Sequence, residues 1–230
     1  LDVDDVTMNV DLSALGLVLT QGVRAVVLTH LYGRLAAPEA VAKLCAGAGV
    51  ALVEDCAQAH GARLVGRMAG TFGAAGCFSF YPTKNLGALG DGGAIVTGDD
   101  EVAERVRRLR QYGWQAKYRS TEAGGRNSRL DEIQAAVLST KLPYVDIQNA
   151  RRRAIAGRYA QGISNRAIEV PARGGDAGRR AHLLSRRLTP VSIRSERQVR
   201  KRDRPGRVRG ELRAAGACRS FPGRLHSHGC

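Results

Sequence analysis

At 230 residues the chain holds one good domain, or a domain and a half. No apolar run approaches the length of a membrane-spanning helix, no signal-peptide pattern opens the chain, and no internal repeat is present. Five cysteines, Cys45, Cys56, Cys77, Cys218 and Cys230, form no CxxC pair, so they read as structural thiols of a reducing cytoplasm. The formal net charge is +15, but residues 172–230 hold 16 Lys and Arg against 4 Asp and Glu, which puts 12 of those charges in the tail.

Taken in chain order, Ala25-Val26-Val27-Leu28 reads as a buried strand between Arg24 and Thr29. Pro38 opens an amphipathic helix that runs through Val41, Leu44 and Cys45 to about Gly47. Val50 to Val53 gives the next strand, and the run ends in Glu54-Asp55, as a buried parallel strand does when its end opens onto a site. A later apolar strand leads into the loop that carries Lys84, and Gly93 to Thr97 forms the strand after it. The helix from Asp100 places Glu101 and Glu104 early and Arg107, Arg108 and Arg110 late, an order that suits the helix dipole. Leu130, Ile133, Ala136 and Val137 mark one face of a helix that stops near Leu142, ahead of Pro143, and a last helix spans about Tyr144 to Tyr159. Strands alternating with helices argue for an α/β fold built on a doubly wound sheet.

The chemistry centres on Lys84, in Ser79-Phe80-Tyr81-Pro82-Thr83-Lys84-Asn85-Leu86-Gly87-Ala88-Leu89-Gly90-Asp91-Gly92-Gly93. An amine delivered by an apolar strand into a glycine-lined loop is a candidate nucleophile for trapping a carbonyl, and the glycines let backbone approach a ligand. By itself such a residue is more often a surface lysine. Upstream, Val50-Ala51-Leu52-Val53-Glu54-Asp55-Cys56-Ala57-Gln58-Ala59-His60-Gly61 puts Asp55 where open α/β sheets bind ligands. Asp55, Gln58 and Ser79 also admit plainer readings as a turn carboxylate, a solvent amide and a strand hydroxyl. His30 and His60 fall near the same strand ends, where a histidine is more often a satisfied structural donor than a substrate contact.

These two segments in this order resemble the DegT/DnrJ/EryC1/StrS family of pyridoxal-phosphate-dependent sugar aminotransferases, over about residues 1–170. The resemblance implies the fold type I aminotransferase large domain, a mixed, mostly parallel sheet flanked by helices, here incomplete. It implies that Asp55 keeps the ring nitrogen of the cofactor protonated, that Gln58 donates to the ring's phenolic oxygen and that Ser79 binds the phosphate. Lys84 would hold the cofactor covalently and then shuttle a proton, and lysine rather than histidine at this position implies transamination. The implied donor is L-glutamate or glutamine and the acceptor a nucleotide-linked keto-sugar; Tyr-Pro-Thr-Lys-Asn-Leu-Gly-Ala-Leu-Gly-Asp-Gly-Gly resembles members acting at a 3-keto carbon. Asn127, in Asn127-Ser128-Arg129-Leu130, resembles a residue that reaches the phosphate in the neighbouring subunit, which implies a homodimer. Asn127 or Ser128 could equally cap a helix beginning near Arg129.

Leu1-Asp2-Val3-Asp4 resembles a strand well inside the family's large domain, so the chain reads as lacking that domain's first part. Residues 1–170 are therefore expected to be a partial cofactor-binding domain. Residues 171–230 read as a basic, disordered tail foreign to the family: arginine-rich text without apolar periodicity, as a shifted reading frame in GC-rich sequence would give. Two alternatives stand beside the aminotransferase. One is a truncated, catalytically inactive family member; the other is a module whose basic arm binds nucleic acid through counterion release, although the tail lacks aromatic residues interleaved for base stacking.

Overall fold

The structure, a computed structural model, describes residues 1–4, 9–165, 168–169 and 187–188. The chain divides into two units, Leu1–Val191 and Ser192–Cys230, and only the first contains described residues. The expected tail, 171–230, lies outside them apart from 187–188. In chain order the elements are α1 (Leu12–Leu19), β1 (Ala25–Thr29), α2 (Pro38–Gly47), β2 (Ala51–Asp55), the hairpin β3 (Arg63–Leu64) and β4 (Arg67–Met68), β5 (Ala75–Ser79), β6 (Gly93–Val96) and α3 (Asp100–Leu109). The hairpin β7 (Trp114–Ala116) and β8 (Arg119–Ser120) follows, then α4 (Glu132–Lys141) and α5 (Val145–Gly162). Ile168–Glu169 and Arg187–Leu188 form a further antiparallel pair. Among the described residues no helix is long and apolar enough to cross a membrane.

The central sheet has the order β1-β2-β5-β6. β1, β2 and β5 run parallel, and β6 returns antiparallel to β5. Partners across a sheet share a face and successive residues alternate, so the register sorts the side chains. Leu28, Leu52, Glu54 and Phe78 point to one face, and Val27, Thr29, Asp55, Cys77, Ser79 and Ile95 to the other. α1 and α2 cover the first face: Leu15, Leu19, Val41 and Cys45 pack with Leu28 and Leu52 in one buried cluster. The second face is open among the described residues, with Val27 68% exposed. The strand expected at Ala25–Leu28 is present, but it is buried only on its Leu28 side.

Local sequence explains most helix ends. Asp99 accepts from the N–H groups of Glu101 and Val102 and caps α3, whose first turn is acidic and last turn basic. Asp11 does the same for α1, a helix the sequence reading missed, because a short and nearly all-apolar run shows no period. The opening Leu1–Asp4 segment forms only an isolated bridge, Val3 to Val10, rather than a strand. α4 begins at Glu132, with Asp131 at its N-cap position, so neither Asn127 nor Ser128 caps it. Its inward face is also not the expected one: Leu138 is buried, whereas Ile133 and Ala136 are exposed.

Candidate active site

Thr29, Asp55, Cys77 and Ser79 stand together on the open face, at the C-terminal ends of the three parallel strands. Thr29 pairs with Asp55 and Asp55 with Cys77 in the register. Ser79 returns to the same face two residues, or about 7 Å, beyond Cys77. Opposite Ser79 in the ladder is Gly93, which adds no side chain. Asp55 Oδ1 accepts from the Ala57 N–H at 3.0 Å, and the Thr29 hydroxyl donates to Oδ2 at 3.5 Å. The charge of Asp55 reaches its neighbour: burial pushes the Cys77 thiol pKa up, and Asp55 adds to the shift.

Gln58 is pinned at the same end of the sheet. Its Oε1 accepts from the Tyr32 N–H at 2.7 Å, bracing a residue whose φ of 56° lies in the left-handed region. The carbonyl end of the amide is thereby committed, and its N–H groups remain the donors.

Lys84 is half-buried in the loop leaving β5. The loop is folded tightly on itself: Lys84 N–H donates to the Tyr81 carbonyl at 2.9 Å, Ala88 N–H to Phe80 at 2.8 Å, and Phe80 N–H to Gly92 at 2.7 Å. A Cβ on Gly87 would lie 2.5 Å from the Pro82 carbonyl oxygen, so this turn admits only glycine. α4 grips the loop from outside, for Lys141 Nζ donates to the Gly87 carbonyl at 2.7 Å and Gln134 Oε1 accepts from Leu89 N–H at 2.8 Å and Gly90 N–H at 3.2 Å.

Asn127 lies on the segment that leads into α4. It is exposed, its Oδ1 accepts from Arg129 Nε at 3.0 Å, and its backbone bridges to Gln111.

Both histidines are buried. His30 is fully buried: its Nδ1 accepts from the Ala36 N–H at 3.2 Å, so Nε2 carries the proton and donates to Glu54 at 2.9 Å. Glu54 also accepts from the N–H groups of Gly70, Phe72 and Gly73. Burial acts to raise the Glu54 pKa, but the bonds from His30 and the three backbone groups hold it below the usual glutamate range. Donor atoms of His30, Glu54 and Cys56 lie within 4.8 Å of one another. Every Glu54 oxygen is already occupied by N–H groups, and burial drives the Cys56 pKa up, so the cluster is a packing hub. Sequence reasoning passed over Glu54, although a carboxylate one position out of phase with Asp55 must point into the covered face. The glycines at 70 and 73 supply the N–H groups it needs there. It also missed Asn85 and Asn149, which are buried beside the lysine loop.

The DegT/DnrJ/EryC1/StrS aminotransferase family model matches residues 1–207, past the last motif read from the sequence. A dTDP-3-amino-3,4,6-trideoxy-alpha-D-glucose transaminase from Micromonospora megalomicea subsp. nigra is 50% identical over 164 residues, 71% of this chain and 44% of that protein. Its namesake from Streptomyces venezuelae is 48% identical over 181 residues, 78% of this chain and 46% of that protein. The solved structure of S. venezuelae DesV in complex with a ketimine intermediate superposes with a TM-score of 0.76 at 45% identity, covering 80% of this chain and 50% of that one. The chain thus spans about half the length of the relatives it matches. With a matching family model over most of its residues, the chain belongs to the DegT/DnrJ/EryC1/StrS aminotransferase family.

Proposed function

We propose that the chain is part of a pyridoxal-phosphate-dependent aminotransferase that moves an amino group from L-glutamate or glutamine to a nucleotide-linked 3-keto-deoxyhexose. The observation that carries the reading is the placement of Asp55 and Ser79 on one open sheet face, directly before the tight loop of Lys84. The donor set suits a phosphorylated pyridine ring: one carboxylate, one hydroxyl, one amide with free N–H groups and one amine. Gly93 beside Ser79 leaves space for it.

When bound, the cofactor supplies an electron sink for the charge left on the substrate carbon as a proton departs. In this reading Asp55, oriented by the Ala57 N–H, would hold the ring nitrogen's proton. Gln58 donates to the ring oxygen because Tyr32 has taken its carbonyl. Ser79 donates to the phosphate. Lys84 would hold the cofactor through its amine and, when that amine is free, would take and return the proton of the substrate carbon. Asn127, exposed and bonded through its Oδ1 to Arg129, would contribute to a second subunit's phosphate site in a homodimer.

The 3-keto assignment is supported by the relatives' names: three of them are transaminases of dTDP-3-amino sugars. To test it, the chain is supplied with pyridoxal phosphate and L-glutamate or L-glutamine, and release of the corresponding keto acid is measured. Nitrogen transfer to 3-keto and 4-keto nucleotide sugars is then compared. Keto-acid release with transfer to the 3-keto sugar is expected; transfer to the 4-keto sugar alone would reverse the assignment.

A further inference from the structure

Asn85 follows Lys84 directly and is buried, at 5% exposure. Its amide N–H groups donate to the His60 carbonyl at 3.1 Å and to Asn149 Oδ1 at 3.2 Å. Its Oδ1 is therefore the acceptor at 2.7 Å from His60 Nδ1, which carries the ring proton. Asn149 closes the circuit by donating to the same His60 carbonyl at 3.1 Å, so that oxygen receives two donors. The rings of Phe78 and Phe80, with centroids 5.4 and 5.9 Å from that of His60, flank the cluster. Burial holds the His60 pKa down and the nearby Lys84 charge acts the same way, against the opposing bonds to Asn85 and the Ser79 backbone.

The three side chains come from three places: the turn after Asp55, the lysine loop and helix α5. In α5 only Val145 and Asn149 are buried: Val145 packs with Leu86 and Ala88 of the loop, and Asn149 supplies the polar contact. Buried polar groups bonded to one another in this way favour one arrangement, because a shift breaks bonds that solvent does not readily replace. The proposed reaction uses none of the three.

We propose that the His60–Asn85–Asn149 cluster is the positioning device of Lys84, and that it makes the reach of the amine depend on the register of α5 against the lysine loop. The inference rests on Lys84 being the reactive amine. A side chain locked at position 85 fixes the backbone on the C-terminal side of Lys84, as the Tyr81 carbonyl does through its N–H. A displacement of about 1 Å at a reacting group is enough to cost on the order of a hundredfold in rate.

The test is competitive labelling of the 230-residue chain with acetic anhydride, without cofactor, read by mass spectrometry at Lys84 against exposed Lys43. Asn149→Leu, similar in volume but without polar atoms, is expected to raise Lys84 labelling about threefold or more as the loop loosens. Asn149→Asp keeps the acceptor for Asn85 and is expected to fall between parent and Asn149→Leu. Val145→Ala removes the other buried contact of α5 and is expected to leave the ratio unchanged. Asn85→Ser releases the loop from its own side and gives the same rise should Asn149→Leu fail to fold. An unchanged ratio in both amide variants overturns the proposal, as does an equal rise in Val145→Ala. Because no cofactor is present, failure of the aminotransferase reading shows up separately, as a parent chain that does not retain pyridoxal phosphate at Lys84.

Discussion

Glu54→Gln keeps the size of the side chain while removing half of what it does. The carboxylate accepts four hydrogen bonds, from His30 Nε2 at 2.9 Å and Gly70 N at 2.8 Å on one oxygen, and from Phe72 N at 2.6 Å and Gly73 N at 2.9 Å on the other. Glutamine offers one oxygen, so either pair of N–H groups meets an NH2 instead. His30 cannot escape by changing tautomer, since its Nδ1 already accepts from Ala36. Two lost bonds to a buried charge, at about 1.5–3 kcal/mol each, put the expected loss at roughly 3–6 kcal/mol. Urea denaturation followed by circular dichroism measures it. The pH dependence supplies a second reading. The Glu54 pKa is depressed in the fold, so its stabilisation is present above the ordinary glutamate range, near pH ~4.3, and is lost as pH falls through the folded value. The parent is expected to lose stability on acidification below that range, and Glu54→Gln to lack that limb. A loss under about 1 kcal/mol, or an identical acid limb in both chains, would refute the hub.

Gly87→Ala sets a Cβ 2.5 Å from the Pro82 carbonyl oxygen and 2.9 Å from that of Tyr81, both backbone atoms. The loop must open, and cofactor retention at Lys84 is expected to fall at least about tenfold, measured by borohydride trapping and peptide mass. Asp55→Asn keeps the Ala57 contact but removes the charge; pyridoxal phosphate affinity by absorbance titration is expected to drop, with the thermal midpoint little changed. Asp99→Ala removes the cap of α3, whose packing buries no side chain, and should cost about 1 kcal/mol by urea titration with no effect on cofactor retention.

Much of the frame was legible because its signals are local. Pro38 at the start of α2, the charge order of α3 and the apolar runs of β1, β2 and β6 need no knowledge of their partners. The strand-end position of Asp55 followed from the same logic. What stayed hidden depends on distant chain. Glu54 and Asp55 are adjacent carboxylates, and only the register against β1 and β5 assigns one to the packed face and the other to the open one. Asn149 lies 64 residues from Asn85, on a helix whose composition gives no apolar stripe to orient it. The face of α4 was misassigned for a related reason: Gln134 and Lys141 turn inward to hold the glycine loop, so Ile133 and Ala136 turn out. Asn127 looked like a helix cap because of its residue type, but α4 starts five residues later.

The account stands on Lys84 as the residue that takes the cofactor. Incubation with pyridoxal phosphate, borohydride reduction and peptide mapping of the parent and of Lys84→Ala test that directly. The account predicts one pyridoxyl group, on the peptide containing Lys84, and none in the variant; equal trapping in the two chains, or modification confined to Lys43, Lys117 or Lys141, would contradict it.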